Sequence, residues 1–286
     1  MKIFRGLIVL LLVVINFPLM AQTSSGREVL ALDKDWKFYK GAIDENTNQE
    51  ALQWKSVNLP HTWNNIDMQQ DSVYYEGDAW YKKEIYIPAK DSNRRLFLKF
   101  DGVGNVADVY VNGRFIGEHK GGYAAFTFEI TNAVHLGEKN EIRVKANNEL
   151  RPDVIPINQN LFANYGGIYR HVYLMNTAKL NISTLDYASP GVFIDQHNVS
   201  EESADIMVRV ELENKFHSYK EVLVKTVIKD KEGEKVEAAS VKSRVSPQGV
   251  TYVRVPISMI DPHLWNGKED PYLYSVEVKI LKDGKL

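Results

Sequence analysis

The sequence of 286 residues contains no cysteine. That excludes disulfides, a thiol nucleophile and a lipid anchored through cysteine, and it leaves core burial alone to hold the fold, which this length permits. Basic clusters are missing as well. Lys2 and Arg5 are the only charges among the first 21 residues, so 33 of the 35 basic residues remain beyond them against 37 acidic ones, a net of −4. Nucleic acid and anionic membrane surfaces are therefore poor partners. Seven scattered histidines form no HExxH spacing, and no GxSxG appears, so neither a zincin helix nor a serine nucleophile elbow is present. GVGNVADVYVNG is rich in glycine, but it feeds a hairpin rather than a strand-to-helix turn, which argues against a phosphate cradle. Beyond the first residues, helical periodicity is almost absent.

What is present begins with MKIFRGLIVLLLVVINFPLMAQ. Two cations, an apolar run from Leu7 to Ile15 and Leu19-Met20-Ala21 before Gln22 follow the order of a cleavable secretory signal. The run is too short to span a bilayer comfortably. The expectation is a leader over residues 1–21, a secreted or periplasmic product, and no membrane association once the leader is cleaved.

The remainder reads as strands. Trp36–Tyr39, Ala79–Ile87, Leu96–Phe100, Phe126–Ile130, Glu141–Ala146 and Ile168–Met175 are short, aromatic or β-branched runs. Between Ala107 and Ile116, ADVYVNGRFI places Asn112-Gly113 between two alternating arms, the strongest short-range hairpin signal, because both residues tolerate the positive φ of a type I′ turn. Asn147 to Asn164 is a long irregular segment with Pro152 and Pro156, a length that points to a functional or a disordered loop. Further candidates follow from Lys179: Leu180–Tyr187, Ala204–Asn214, Glu221–Lys229, Val236–Val245, Val250–Ile257 and Tyr272–Lys282. Asp283-Gly284 announces one more hairpin with only Lys285 and Leu286 to return, so the reading expects the second sheet to stop short of its last strand. Many short strands with long connections predict an all-β chain of sandwich or jelly-roll type.

Six segments then occur in a fixed order: LPHTWN (59–64), GDAWYKKEI (77–85), VYVNGRFIGEHKGGYAAFTFEIT (109–131), NEIRVKANN (140–148), GGIYRHVYL (166–174) and LWNGKEDPYLYSVEVKI (264–280). In series they resemble the N-terminal part of glycoside hydrolase family 2, the β-galactosidase, β-glucuronidase and β-mannosidase group. The resemblance implies a jelly-roll sugar-binding domain, placed at 22–178, and an immunoglobulin-like β-sandwich at 179–286. In the family a TIM barrel with two catalytic glutamates follows, and a barrel needs roughly 250 further residues.

Retaining glycoside hydrolysis needs two carboxyls about 5 Å apart. The acidic pairs available are Asp101 with Asp108, read as turn and strand-entry chemistry, and Glu76 with Asp78 in YYEGDAW. In family members the latter loop approaches the sugar, so Glu76 and Asp78 are expected to bind rather than catalyse. In the β-galactosidases the segment before GGIYR places a carboxylate near the sugar and a metal ion. Here Asn158 and Asn160 stand in that neighbourhood, with Tyr165 closing the run. Amides can bond sugar hydroxyls, but a metal is not expected. Arg170 is expected inside a strand as an ion-pair partner, His61 as a packing and hydrogen-bonding residue, and Trp265 as packing for its loop with Pro271.

No catalytic residue, metal or cofactor is expected in this chain. The reading is the non-catalytic N-terminal portion of an exported, β-galactosidase-like enzyme, with an oligosaccharide or β-glycoside as partner and a homo-oligomer conceivable for a full-length form. A glucuronidase or mannosidase type remains open, since Asn164-Tyr165-Gly166-Gly167 has a glucuronidase flavour. Two other classes stay beside it: a free-standing carbohydrate-binding module and an adhesion or assembly protein built of sandwiches.

Overall fold

The computed structural model describes residues 26–44, 47–48, 51–67, 74–155, 164–282 and 284. The expected leader lies outside them, as do Asn158 and Asn160.

Alternation of side chains builds two sandwiches. In the first, a six-stranded antiparallel sheet runs in the order β3 (Lys55–Val57), β2 (Trp36–Lys40), β4 (Asp78–Ile87), β9 (Glu138–Asn147), β6 (Val106–Val111) and β7 (Arg114–Lys120). A four-stranded sheet runs β1 (Glu28–Ala31), β10 (Val172–Ala178), β5 (Arg94–Phe100) and β8 (Phe126–Glu129). β4 shows the logic. Ala79, Tyr81, Ile85 and Ile87 are buried, while Trp80, Lys82, Glu84 and Tyr86 face the other way. A one-residue slip would turn Tyr81 and Ile87 out to water, so burial itself sets the register. Trp36, Tyr81, Leu98, Phe100, Val109, Ile142, Val144 and Val172 fill the space between the sheets.

The Asn112-Gly113 hairpin joins β6 to β7 as expected, with φ of 50° and 77°. The Asn112 side chain also fastens the turn to β9. Its amide nitrogen donates to the Ala133 carbonyl at 2.9 Å and to Asn140 Oδ1 at 2.8 Å, and its oxygen accepts from the Glu141 amide at 3.0 Å.

The second sandwich has β13 (Ser203–Asn214) at the centre of one sheet. β11 (Leu180–Ile182) and β12 (Val192–His197) pair along one edge, and β16 (Gly249–Ile260) along the other. The facing sheet is β15 (Lys235–Val245), β14 (Lys220–Lys229) and β17 (Ser275–Leu281). Val208, Val210, Leu212, Val224, Val255 and Ile257 form its core.

Three expectations need correcting. Ile168–His171 is loop, because the Ile168 and His171 carbonyls accept from the amides of His61 and Asp101 in neighbouring loops before β10 begins at Val172. Arg170 is thus exposed and outside any strand; Nη1 reaches the Asp101 carbonyl at 3.4 Å, and the guanidinium lies over the Tyr169 ring. Residues 183–187 likewise leave the sheet after β11, where Tyr187 and Ala188 take positive φ. Trp265 does not pack its loop: it is 64% exposed, and Pro271 further along the loop is exposed too.

Two arginines link the sandwiches: Arg27 Nη2 donates to the Ile182 carbonyl on β11 at 2.8 Å, and Arg95 makes the larger junction. Arg95, 2% exposed on β5, donates Nε and Nη2 to the two carboxylate oxygens of Glu129 at 3.0 and 2.7 Å. Its Nη1 reaches Glu213 Oε2 on β13 at 2.6 Å, and Lys215 holds the other Glu213 oxygen at 2.8 Å. Burial opposes ionisation of Glu129, but the bonds and charge of Arg95, with Thr131, outweigh it and hold that carboxyl below its usual range.

Candidate functional site

At one end of the first sandwich, four connections converge: residues 61–67 after β3, 74–77 before β4, the start of the segment after β9 at Asn148, and 164–171 before β10. Buried amides clamp them together. Asn64 Nδ2 donates to Asp67 Oδ2 at 2.7 Å and to the Tyr75 carbonyl at 2.9 Å, while its oxygen accepts from the Gly166 amide at 2.8 Å. Asn148 Nδ2 donates to the Asn164 carbonyl at 2.8 Å, and Asn148 Oδ1 accepts from the Gly77 amide at 3.0 Å. Asn164 Nδ2 returns a bond to the Asn148 carbonyl at 2.7 Å. A buried amide stabilises only when its donors and acceptors are met, and this triad satisfies backbone groups that no sheet ladder can reach.

Two glycines are required for the close approach. A Cβ on Gly166 would sit 1.8 Å from the Trp63 ring. On Gly167, which has φ of 127°, it would meet the His61 carbonyl at 2.4 Å. Beneath them, His61 Nδ1 lies 2.7 Å from Tyr81 Oη and the imidazole packs on Phe38 with centroids 4.6 Å apart. Burial lowers the His61 pKa from its ordinary value, so the ring is held neutral. This is the packing and bonding role its sequence context suggests.

On this frame sit the candidate sugar-facing groups. Tyr165 is 47% exposed and meets the edge of Tyr74 with ring centroids 6.3 Å apart. Tyr74 Oη makes no hydrogen bond of ordinary geometry to the described residues, although Asn148 lies close; Glu76 Oε1 is likewise buried without a partner. Burial first, then Tyr165 and Glu76, push the Tyr74 hydroxyl far above its ordinary pKa, so it stays a donor. The structure brings Tyr74, Glu76 and Tyr165 to one loop cluster. Asp78 stands apart from them in role: it opens β4 opposite Asn147 and accepts from that residue's Nδ2 at 2.8 Å.

Asp101 and Asp108 are structural. Asp108, on β6, pairs with Lys145 at 2.7 Å, and Asp101 lies 3.6 Å from Lys99. Among the described residues no group of three or more His, Asp or Glu could hold a metal ion, and no helix is long and apolar enough to cross a membrane. A shallow cavity of about 170 Å³ opens elsewhere, between Arg114, Phe115, Ile116, Glu129, Asn132 and Ala133. It shares no residue with the loop cluster.

Sequence reasoning passed over Tyr74 and the Asn64–Asn148–Asn164 clamp. The doubled tyrosine beside Glu76 was a usable signal for the first. The clamp's asparagines fall inside the quoted motifs, but nothing local showed their pairing, because isolated amides have no period and their partners lie up to 102 residues away.

Residues 32–178 match the sugar binding domain of glycosyl hydrolases family 2, and 190–286 match a second model of the same family. The chain belongs to glycoside hydrolase family 2. A β-glucuronidase of Bacteroides fragilis is 39% identical over 278 residues, 96% of this chain and 38% of that protein. A β-galactosidase of Thermoanaerobacter pseudethanolicus is 29% identical over 91% of this chain and 34% of its own length. Among solved structures, one described as a candidate β-galactosidase from Bacteroides fragilis superposes with a TM-score of 0.87 at 46% identity, covering 91% of this chain and 39% of that one. The chain therefore spans well under half the length of the relatives it matches.

Proposed function

We propose that this chain is the N-terminal, sugar-facing and non-catalytic portion of an exported β-glycosidase that removes terminal β-linked sugars. The observation that carries the reading is the buried Glu76 oxygen, without a partner among the described residues, beside Tyr74 and Tyr165 on a frame locked by three asparagines. Such preorganised donors and acceptors suit a sugar's hydroxyls. Catalysis is assigned to polypeptide of the kind that makes the relatives longer. The substrate is a β-galactoside or a β-glucuronide, the two activities named among the relatives.

The test uses chromogenic β-galactosides and β-glucuronides. Purified residues 22–286 should cleave neither. In the full-length gene product, Glu76→Gln and Tyr165→Ala should raise KM several-fold for one of the two sugars and leave kcat nearly unchanged. Cleavage by residues 22–286 alone, or an unchanged KM in both variants, overturns the reading. A free-standing carbohydrate-binding module would instead show calorimetric affinity for a monosaccharide without any further domain.

A further inference from the structure

The outer face of the six-stranded sheet, turned away from the core, carries a row of rings. Trp80 on β4 and Tyr110 on β6 lie 5.8 Å apart, tilted by 34°, and Tyr110 lies 5.3 Å from Phe115 on β7. The row continues across β2, where Tyr39 stands opposite Trp80 in register and 5.9 Å from Trp54. At about 4.8 Å per strand, the six strands span roughly 24 Å, enough for several sugar rings in line. Phe115 is 52% exposed, and Trp80, Tyr110 and Tyr39 are half-buried, so the rings, inclined by 59° between Tyr110 and Phe115 and by 51° between Tyr39 and Trp54, line a surface rather than a core.

Charged groups are interleaved with the rings: Lys82 lies over the Trp54 ring and Lys37 bonds Ser56, and the others pair. Lys145 pairs with Asp108 at 2.7 Å, Arg143 with Glu141 at 2.5 Å and Lys139 with Glu84 at 3.2 Å. A face with largely compensated charge offers no track for nucleic acid or a polyanion. Protein interfaces exclude such charges from their centres, which counts against a protein partner here. A neutral sugar chain has the matching chemistry: flat C–H faces for the rings and hydroxyls for the ion pairs at their edges.

We propose that this sheet face is a second carbohydrate site, distinct from the loop cluster, that takes an extended, neutral, β-linked oligosaccharide across Trp80, Tyr110 and Phe115. The proposal rests on the sugar-binding reading of this domain but not on Glu76 or Tyr165. It gives the chain a means of holding a polymer while its end is presented elsewhere.

Calorimetry and native affinity electrophoresis on purified residues 22–286, with neutral β-1,4-linked hexasaccharides and their soluble polymers, test it. Wild type should bind, Phe115→Ala should bind about tenfold more weakly and Phe115→Ala/Tyr110→Ser more weakly still. Near-UV circular dichroism of each variant guards against simple unfolding, and quenching of tryptophan fluorescence by the hexasaccharide should persist in Tyr165→Ala and Glu76→Gln. Three outcomes overturn the proposal: no binding by wild type, full binding by the folded double variant, or a wild-type dimer in sedimentation velocity that Phe115→Ala dissolves. Binding lost only in Tyr165→Ala and Glu76→Gln would support the loop cluster and refute this face.

Discussion

Replacing Arg95 by methionine is the sharpest test of how the two sandwiches are joined. Methionine keeps most of the side-chain volume but removes three charge-assisted bonds, leaving Glu129 and the 7%-exposed side chain of Glu213 without their shared cation. Removing one partner of a buried ion pair costs about 3–5 kcal/mol, mostly as the penalty on the stranded charge. Lys215 stays at 2.8 Å from Glu213, which places the expected loss toward the lower end. At about 2–4 °C per kcal/mol, the melting temperature should fall by roughly 6–20 °C. The pH profile carries the sign. Glu129 has its folded pKa depressed, so its contribution is full above the unfolded value of about 4.3 and is lost as pH falls through the folded one. Wild type should lose that increment on acidification and Arg95→Met should not, because its stranded carboxylates are relieved by protonation. Urea unfolding at neutral and acid pH, followed by calorimetry, reads both effects. A loss below about 1 kcal/mol, or an unchanged acid slope, would mean that the fork is no more than a surface-type pair and would refute the reasoning.

Three further outcomes follow. Gly166→Ala should fail to fold its loop or lose several kcal/mol, since the new methyl must displace the Trp63 ring from 1.8 Å; limited proteolysis between residues 148 and 168 checks it. Gly113→Ala should cost only about 1–2 kcal/mol, because nothing lies within 4 Å of the added carbon and only the positive φ is penalised; chemical denaturation measures this. His61 and His119 both have pKa values lowered by burial, so their neutral forms favour the fold. Stability should be full above about pH 6.5 and decline as pH falls below it, and His61→Gln should flatten that slope in thermal melts.

Much of this fold was legible because period-2 alternation is a local signal. β4, β9, β13 and β16 read directly from buried and exposed alternation, and Asn112-Gly113 fixed its own turn. What escaped was set at a distance. β1 and β3 are short edge strands whose residues are largely exposed, so they show no alternation to read. Ile168–His171 looked like a strand because it is apolar and aromatic, yet its backbone is used by loops far away in sequence. At the candidate site, Glu76 and Tyr165 announced themselves by composition, whereas the amide clamp beneath them depends on partners supplied only by folding.

The clamp has a consequence for how such a site changes over time. Nearly all of its bonds run from asparagine side chains to main-chain groups, and its closest contact is between an indole and a residue with no side chain at all. The outline of the loop end is therefore written in backbone, while the tips at Glu76 and Tyr165 contribute little to holding it. Tip residues can be exchanged without redrawing the outline. One frame can thus be handed down intact while the residues at its tips change, in a family whose relatives carry the names of both β-glucuronidases and β-galactosidases.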